Sequence, residues 1–298
     1  MITKTLKQDR NDESAARRWN TWRSFKRNRS ALTGLILLAI FLFVAVFAEQ
    51  VAPRDPQKMS DETFRPPSFE ALFGTDDLGR DVFSGVIRGA RTSIFIGVTV
   101  ALLSGLVGVV VGLTAGYAGG LLDDLLMRIT ELFLIPPRFF LALVIAALFG
   151  STLFTMIAVL SVTYWPTAAR LVRAEVLSIR ERSFIEAARA MGASPARIVF
   201  HDILPNALPL IVTNFTLMVS GVILVEAGLS FIGLGDADHI SWGYMLHNGQ
   251  HFIRDAWWTV FFPTLAVSML VFALNAVGDA LNHALDPKSR IEYLDKPA

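Results

Sequence analysis

The chain has 298 residues, of which 53% are hydrophobic and only 18% charged. That balance, with several apolar runs near the ~20 residues a membrane crossing needs, excludes an ordinary water-soluble domain and predicts an all-α polytopic membrane protein. A net charge of +1 singles out no partner, and the absence of cysteine excludes a disulfide framework, a thiolate metal site and a thiol nucleophile.

Residues 1–30 are polar and basic, with Arg17, Arg18, Arg23, Lys26, Arg27 and Arg29 crowded before the first apolar run. Such a cluster marks the cytoplasmic side. Trp19, Trp22 and Phe25, interleaved with it, predict a short amphipathic helix on the membrane surface. A nucleic-acid-binding arm is the alternative for such a run, disfavoured beside a span. The polar start, with no small-residue cleavage site, makes the run at 32–48 a retained span and not a removed signal peptide.

Residues 51–90 read as an external segment, its helices broken by Pro53, Pro56, Pro66 and Pro67. Asp76, Asp77, Arg80 and Asp81 predict a solvated turn with a local ion pair. The run at 92–122 is uncharged and predicts the second span. Within it Gly108, Gly112, Gly116 and Gly120 recur every four residues, and Gly97, Ala101 and Gly105 form a second row. Small residues at this spacing let helix backbones approach closely, so these rows predict helix packing.

At 124–169, Pro136-Pro137 must kink or interrupt a helix. The basic stretch at 170–197 belongs on the same side as the basic N-terminus, so an even number of crossings separates them. Two spans joined near Gly150-Ser151 satisfy that parity. Arg128 and Glu131 can pair on one helix face.

A helix-forming run follows at 183–191, with Arg180, Arg182 and Arg189 on its polar side. Gly192 can take the left-handed conformation that ends a helix. Ser194 and Pro195 then offer an N-cap and a first-position proline. Two short helices at an angle are predicted, with the fifth span at 203–225 capped by Asp202. His247 and His251 stand at i and i+4, a metal-binding spacing in a helix, but without a third ligand they read as polar loop residues. The sixth span is expected at 256–278, opened by an interfacial pair, Trp257-Trp258. Lys288, Arg290 and Lys296 return the tail to the cytoplasm.

The stretch from Glu186 to Pro205, EAARAMGASPARIVFHDILP, resembles the EAA loop of ABC importer permeases at Glu186, Ala187, Ala188, Gly192, Leu204 and Pro205. One departure is Asp202, where that family usually has Ile or His, with His201 one place early. Residues 74–93, GTDDLGRDVFSGVIRGARTS, resemble the branch that handles dipeptides, oligopeptides and nickel, although Gly85 and Arg88 replace its usual Arg and aromatic. Asp124, Met127, Arg128 and Pro136, then Glu226 to Gly235, Ser241-Trp242-Gly243, Asn275, Gly278, Asp279, Asp286 and Pro287, are similar to the same branch in the same order.

The resemblance implies a type I ABC importer permease fold with six transmembrane helices and both termini cytoplasmic in the cell (inner) membrane. The implied divisions are 1–30, a first helix at 31–50, an external segment at 51–90, a five-helix core at 91–286 with a coupling loop about 178–202, and a tail at 287–298. It further implies a second homologous permease subunit, two ATP-binding subunits that hold the ATP and Mg, and an extracytoplasmic binding protein. Neither a cofactor nor a metal is expected on this chain. Peptide is the expected solute, with nickel, opines, oligosaccharides or an antibiotic peptide as alternatives in the branch.

Nothing resembles an active site: the sequence has no Walker phosphate loop, no HExxH and no Ser nucleophile elbow. A secondary transporter would show inverted halves and midplane charges, and an intramembrane enzyme convergent nucleophile and base residues; neither pattern is evident.

Overall fold

The computed structural model describes residues 29–285; the amphipathic segment with Trp19, Trp22 and Phe25, and the tail from Asp286 onward, lie outside the described residues. Helix α1, Arg29–Val46, is uncharged after its first residue and leads into a short helix, Ala48–Val51. Gly34 lets α1 lie tight on the last helix, since a Cβ there would stand 2.8 Å from the Ala276 methyl.

The following segment is irregular but tied down. The Asp76 carboxylate accepts from the Leu78 and Arg80 amides and pairs with the Arg80 guanidinium at 2.6 Å, which closes a turn. Arg65 pairs with Glu62 and Glu70. Trp258 is buried here, its indole N–H donating to the Thr75 carbonyl at 3.0 Å, while Trp257 is half exposed. The expected interfacial pair is therefore split, because one ring is needed to pin the segment to the bundle.

Helix α2, Val82–Ala118, has 37 residues. At ~1.5 Å per residue it runs about 55 Å, well beyond a ~30 Å hydrocarbon core. It starts ten residues before the uncharged run, because Asp81 caps it through the Ser84 amide and hydroxyl at 2.8 and 2.6 Å and no breaker follows. Gly85 opens room for Met245, whose methyl would lie 2.7 Å from a Cβ there. Nothing in the structure explains the swap at Arg88.

Helices α3, Gly120–Leu134, and α4, Arg138–Phe149, bend by 78° across the Pro136-Pro137 break. A left-handed Gly150 (φ +90°) then turns the chain, and Thr152 caps α5, Leu153–Arg180. This turn at Gly150 coincides with the Gly150-Ser151 junction expected from the sequence. Helix α5 runs well past the expected span end near Ala169. Its stripe of Val172, Val176 and Ile179 is buried, so packing carries the helix through its charged half.

Helix α6, Ser183–Ala190, is separate. The next helix starts at Pro195 and passes through a π-helical stretch, Ile198–Ile203, into α7, Leu204–Leu229. The second predicted short helix is thus the opening of a long one. Asp202 does not cap: it sits inside continuous helix, where the following amides already have backbone partners, and only its carbonyl accepts, from Asn206. Helix α8, Trp242–Gly249, and α9, Trp258–Leu285, complete the bundle.

Helices α2, α5 and α7 enclose the main core around Val100, Leu160, Tyr164, Val222 and Ile223. Among the described residues, four helical stretches are long and apolar enough to cross a membrane: α1, α2, the helix from Pro195 to Leu234, and most of α9. A fifth is added if α3 and α4 count as one broken span. Helix α5 has the length, at 28 residues, but Arg170, Arg173, Glu175 and Arg180 make its C-terminal half polar.

Candidate functional site

The loop after α5 is built as an amphipathic clip. Ile185 is the one buried residue of α6, inserted into a cluster with Val176, Ile179, Ile198, Ile203 and Ala207. Burying that side chain contributes roughly 2 kcal/mol. Ala188 is half-buried against the same cluster, whereas Glu186 and Ala187 face outward. Gly192 has φ +80° with no atom within 4 Å of where a Cβ would stand, so conformation and not crowding calls for glycine. Ser194 caps the next helix by accepting from the Arg197 amide at 3.4 Å, and Pro195 occupies its first turn. Leu204 packs half-buried on the cluster and Pro205 is exposed.

The outer face of the clip mixes exposed Phe184, Met191 and Phe200 with charged Glu186 and Arg189. Met191 is 81% exposed, on a face too charged for lipid. Apolar side chains rimmed by charge suit a protein partner. Glu186, Arg189, Arg180 and Tyr117 line a polar groove between the clip and the end of α2, with the Arg189 guanidinium 5.9 Å from the Tyr117 ring centre.

Two arginines fasten α5 beneath this face. Arg180 lies on the last turn of α5, not on the loop helix, and donates to the Gly116 and Tyr117 carbonyls at 3.1 Å each. These are orphan carbonyls at the end of α2, where a cation also meets the helix dipole favourably. Arg173 forms a bidentate pair with Asp123 at 2.5 and 2.7 Å, joining α5 to the first turn of α3. Sequence reasoning missed both, since the partners lie 50 to 64 positions away and no local spacing marks them. Arg128 and Glu131 do pair, at 3.5 Å, on an exposed face.

The two glycine rows face different neighbours, and Gly120, expected in the first, instead opens α3 with no atom within 4 Å of a would-be Cβ. A Cβ on Gly108 would stand 2.5 Å from the Ala168 methyl; on Gly112, 2.7 Å from the Ala169 carbonyl and the Val172 Cβ; on Gly116, 2.8 Å from Val176. All three therefore lie against α5 of the same chain. Gly97 lies against Ile223 of α7, with only 2.8 Å left for a Cβ.

At the opposite end of the bundle, His247 Nδ1 lies 2.8 Å from the Phe231 carbonyl and its ring centre 6.3 Å from that of His251. Glu226 is buried and accepts from the Ser230 hydroxyl at 2.8 Å, with Ser93 and Ser241 around the same carboxyl. Asp236 accepts from the Leu153 amide at 2.8 Å and the Asp238 amide at 2.9 Å, and meets the His239 ring at 3.0 Å.

Residues 108–291 match the family model described as binding-protein-dependent transport system inner membrane component, and residues 18–67 match that of the N-terminal TM domain of oligopeptide transport permease C. The dipeptide transport system permease protein DppC of Bacillus subtilis is 40% identical over 91% of this chain and 86% of that protein. Its namesake in Escherichia coli is 41% identical over 90% and 92%, respectively. The oligopeptide transport system permease protein OppC of Bacillus subtilis is 38% identical over 89% and 88%. Among solved structures, an inward-facing form of the MetNI methionine ABC transporter superposes with a TM-score of 0.57 at 24% identity, over 68% of this chain and 96% of that one. The fold is that of a type I ABC importer permease.

Proposed function

The chain belongs to the family of binding-protein-dependent transport system inner membrane components, multi-pass permeases and not enzymes, and from that membership we propose that it forms half of an ATP-driven import pathway for di- or oligopeptides. The peptide assignment leans on relatives named for dipeptide and oligopeptide transport. The partners are a second homologous permease, two ATP-binding subunits in which ATP and Mg are held, and an extracytoplasmic binding protein that delivers the solute. Both termini face the cytoplasm of the cell in whose inner membrane the chain resides.

The observation that carries this reading is the clip at Ser183 to Pro205. Its inner side is locked into the bundle by Ile185 and Ile198, and its outer side is exposed, apolar at Phe184 and Met191 and charged at Glu186 and Arg189. A rigid knob of this kind transmits motion of an ATPase cleft to α5 and α7, which it joins. Gly192→Asp and Glu186→Lys test it in the assembled complex. Both should leave the spans inserted, weaken ATPase-subunit retention and lower solute-stimulated hydrolysis. Wild-type import by both, with the ATPases attached, refutes coupling through this loop.

Topology is checked separately, because the chain has no cysteine of its own. An outside-only thiol reagent should label single cysteines placed at Asp61 and Asp238, both exposed, but not one at Ser183. Outside labelling at Ser183 would overturn the orientation.

A further inference from the structure

Arg138 opens α4 just after the Pro136-Pro137 break, at the 78° bend between α3 and α4. Its guanidinium lies 4.1 Å from the centre of the buried Tyr164 ring and donates to the Thr167 hydroxyl at 2.6 Å. Among the described residues no carboxylate pairs with it; Glu131, the nearest acid in sequence, faces Arg128 instead. Thr167 stands roughly 20 Å along α5 from Leu153 and roughly 10 Å short of the Arg173–Asp123 pair, at ~1.5 Å per residue. The cation therefore lies about two-thirds of the way along the apolar half of α5, one helical turn before exposed Arg170. An intramembrane charge is costly unless it faces water or a partner group.

The face it occupies is wet by composition. Thr167, Arg170, Ala174 and Ser178 recur along α5 at helical spacing, and all are exposed. Arg170 in particular is costly against hydrocarbon, so this strip suits water or a protein partner better than lipid. Arg138 is half-buried at the deep end of this strip, held in place by Tyr164 behind it and Thr167 beside it. A guanidinium oriented on two sides keeps its remaining N–H fork for a planar anion, and carboxylate matches that fork.

Resting on the peptide-import reading above, we propose that Arg138, positioned by Tyr164 and Thr167, is a carboxylate-binding site that meets the C-terminal carboxylate of the passing peptide. A carboxylate supplied by the second permease subunit has the same chemistry, and the experiment separates the two sources.

The complete complex, reconstituted in proteoliposomes, is supplied with saturating cognate binding protein and either dialanine or dialanine amide. Both probes are tested on wild type and variants, so the binding protein's own preference cancels from the comparison of acid-to-amide rate ratios. Arg138→Gln should lower that ratio roughly tenfold by slowing the acid alone, the scale of a lost charge-assisted hydrogen bond. Arg138→Lys, which keeps the charge but neither the planar fork nor the stacking on Tyr164, should lower the ratio, though less than Arg138→Gln does. Thr167→Val, a milder change that serves if Arg138→Gln does not assemble, should lower the ratio about two- to threefold, as loss of one orienting hydrogen bond would. An unchanged ratio in Arg138→Gln, or in Thr167→Val where that variant stands in, overturns the site. Equal slowing of both probes overturns it too, and assigns the cation to a carboxylate of the partner subunit. Import of neither probe by wild type would instead overturn the peptide reading, and the inference with it.

Discussion

Gly192 and Gly112 are both glycine for opposite reasons. At Gly192 the backbone is left-handed, φ +80°, and the space around it is empty. At Gly112 the backbone is ordinary helix, and a Cβ would stand 2.7 Å from a carbonyl oxygen and a valine carbon of α5. The first residue sets where the chain turns and leaves room for something outside the molecule. The second lets two helices of the same chain touch. Where glycines serve packing, substitution damages the fold; where they serve a turn in open space, it damages what the turn presents.

The largest effect that this contrast predicts is at the packed row. Gly112→Leu cannot fit while α2 and α5 keep their separation, and overpacking has no outlet against backbone. Loss of the folded chain from membranes is expected, measured as detergent-extracted yield and monodispersity. The paired control is Gly105→Ala, whose Cβ would find Phe215 at an ordinary 3.9 Å, and it should extract like wild type. Normal yield for Gly112→Leu would mean that the α2–α5 approach is looser than described.

Next in size is the bridge beneath the clip. Arg173→Ala leaves Asp123, only 10% exposed, without its bidentate partner. Partial exposure of Arg173 tempers the loss, so about 1–3 kcal/mol is expected. A double-mutant cycle with Asp123→Asn reads the pair directly: coupling near zero would remove it from the account of how α5 is held.

At Gly192 the expected cost to stability is smaller, about 1 kcal/mol for Gly192→Ala, from the left-handed backbone alone. Gly192→Asn should cost less than that, because asparagine tolerates the conformation. The functional loss should follow the same order. Measured melting temperatures that rank Ala and Asn the other way would show that φ is not the constraint.

This ranking also shows what was legible in the sequence. Gly192, Ser194 and Pro195 announce a turn through local chemistry, and the turn is there. The four-residue glycine spacing announces a close helix contact, but a period names a face and never the helix opposite, so α5 as the neighbour of Gly108, Gly112 and Gly116 emerges only in three dimensions. The same limit hid Arg173–Asp123 and Arg180 on the α2 carbonyls. Asp202 misled for the reverse reason: its type suits a cap, but the helix through Ile198–Ile203 is already continuous and leaves no orphan amides there. Helix α5 outran its expected end because burial of Val172, Val176 and Ile179 outweighs the charges between them.

The smallest expected effect comes from a third corner, at the other end of the bundle. Gly150, like Gly192, is left-handed (φ +90°) with nothing near its would-be Cβ, but here the turn is held from across the chain by Asp236, which accepts from the Leu153 amide. Partial burial pushes the Asp236 carboxyl up, yet donation from the Asp238 and Leu153 amides and the contact with His239 outweigh it, so the group sits below its ordinary value. A lowered folded pKa means that the carboxylate's contribution is fully present above the unfolded value, near 4, and is lost as pH falls through the folded one. Asp236→Asn should therefore melt slightly below wild type at pH 7, by the equivalent of about 1 kcal/mol or less, the scale of one hydrogen bond to a charged, partly exposed group. The gap should persist unchanged to about pH 5 and close only toward pH 3, where wild type also loses the charge. A gap that closes between pH 7 and 5 would place the titration on a group other than Asp236. One that never closes would mean that shape and not charge holds this corner, making it as passive as the open turn at Gly192.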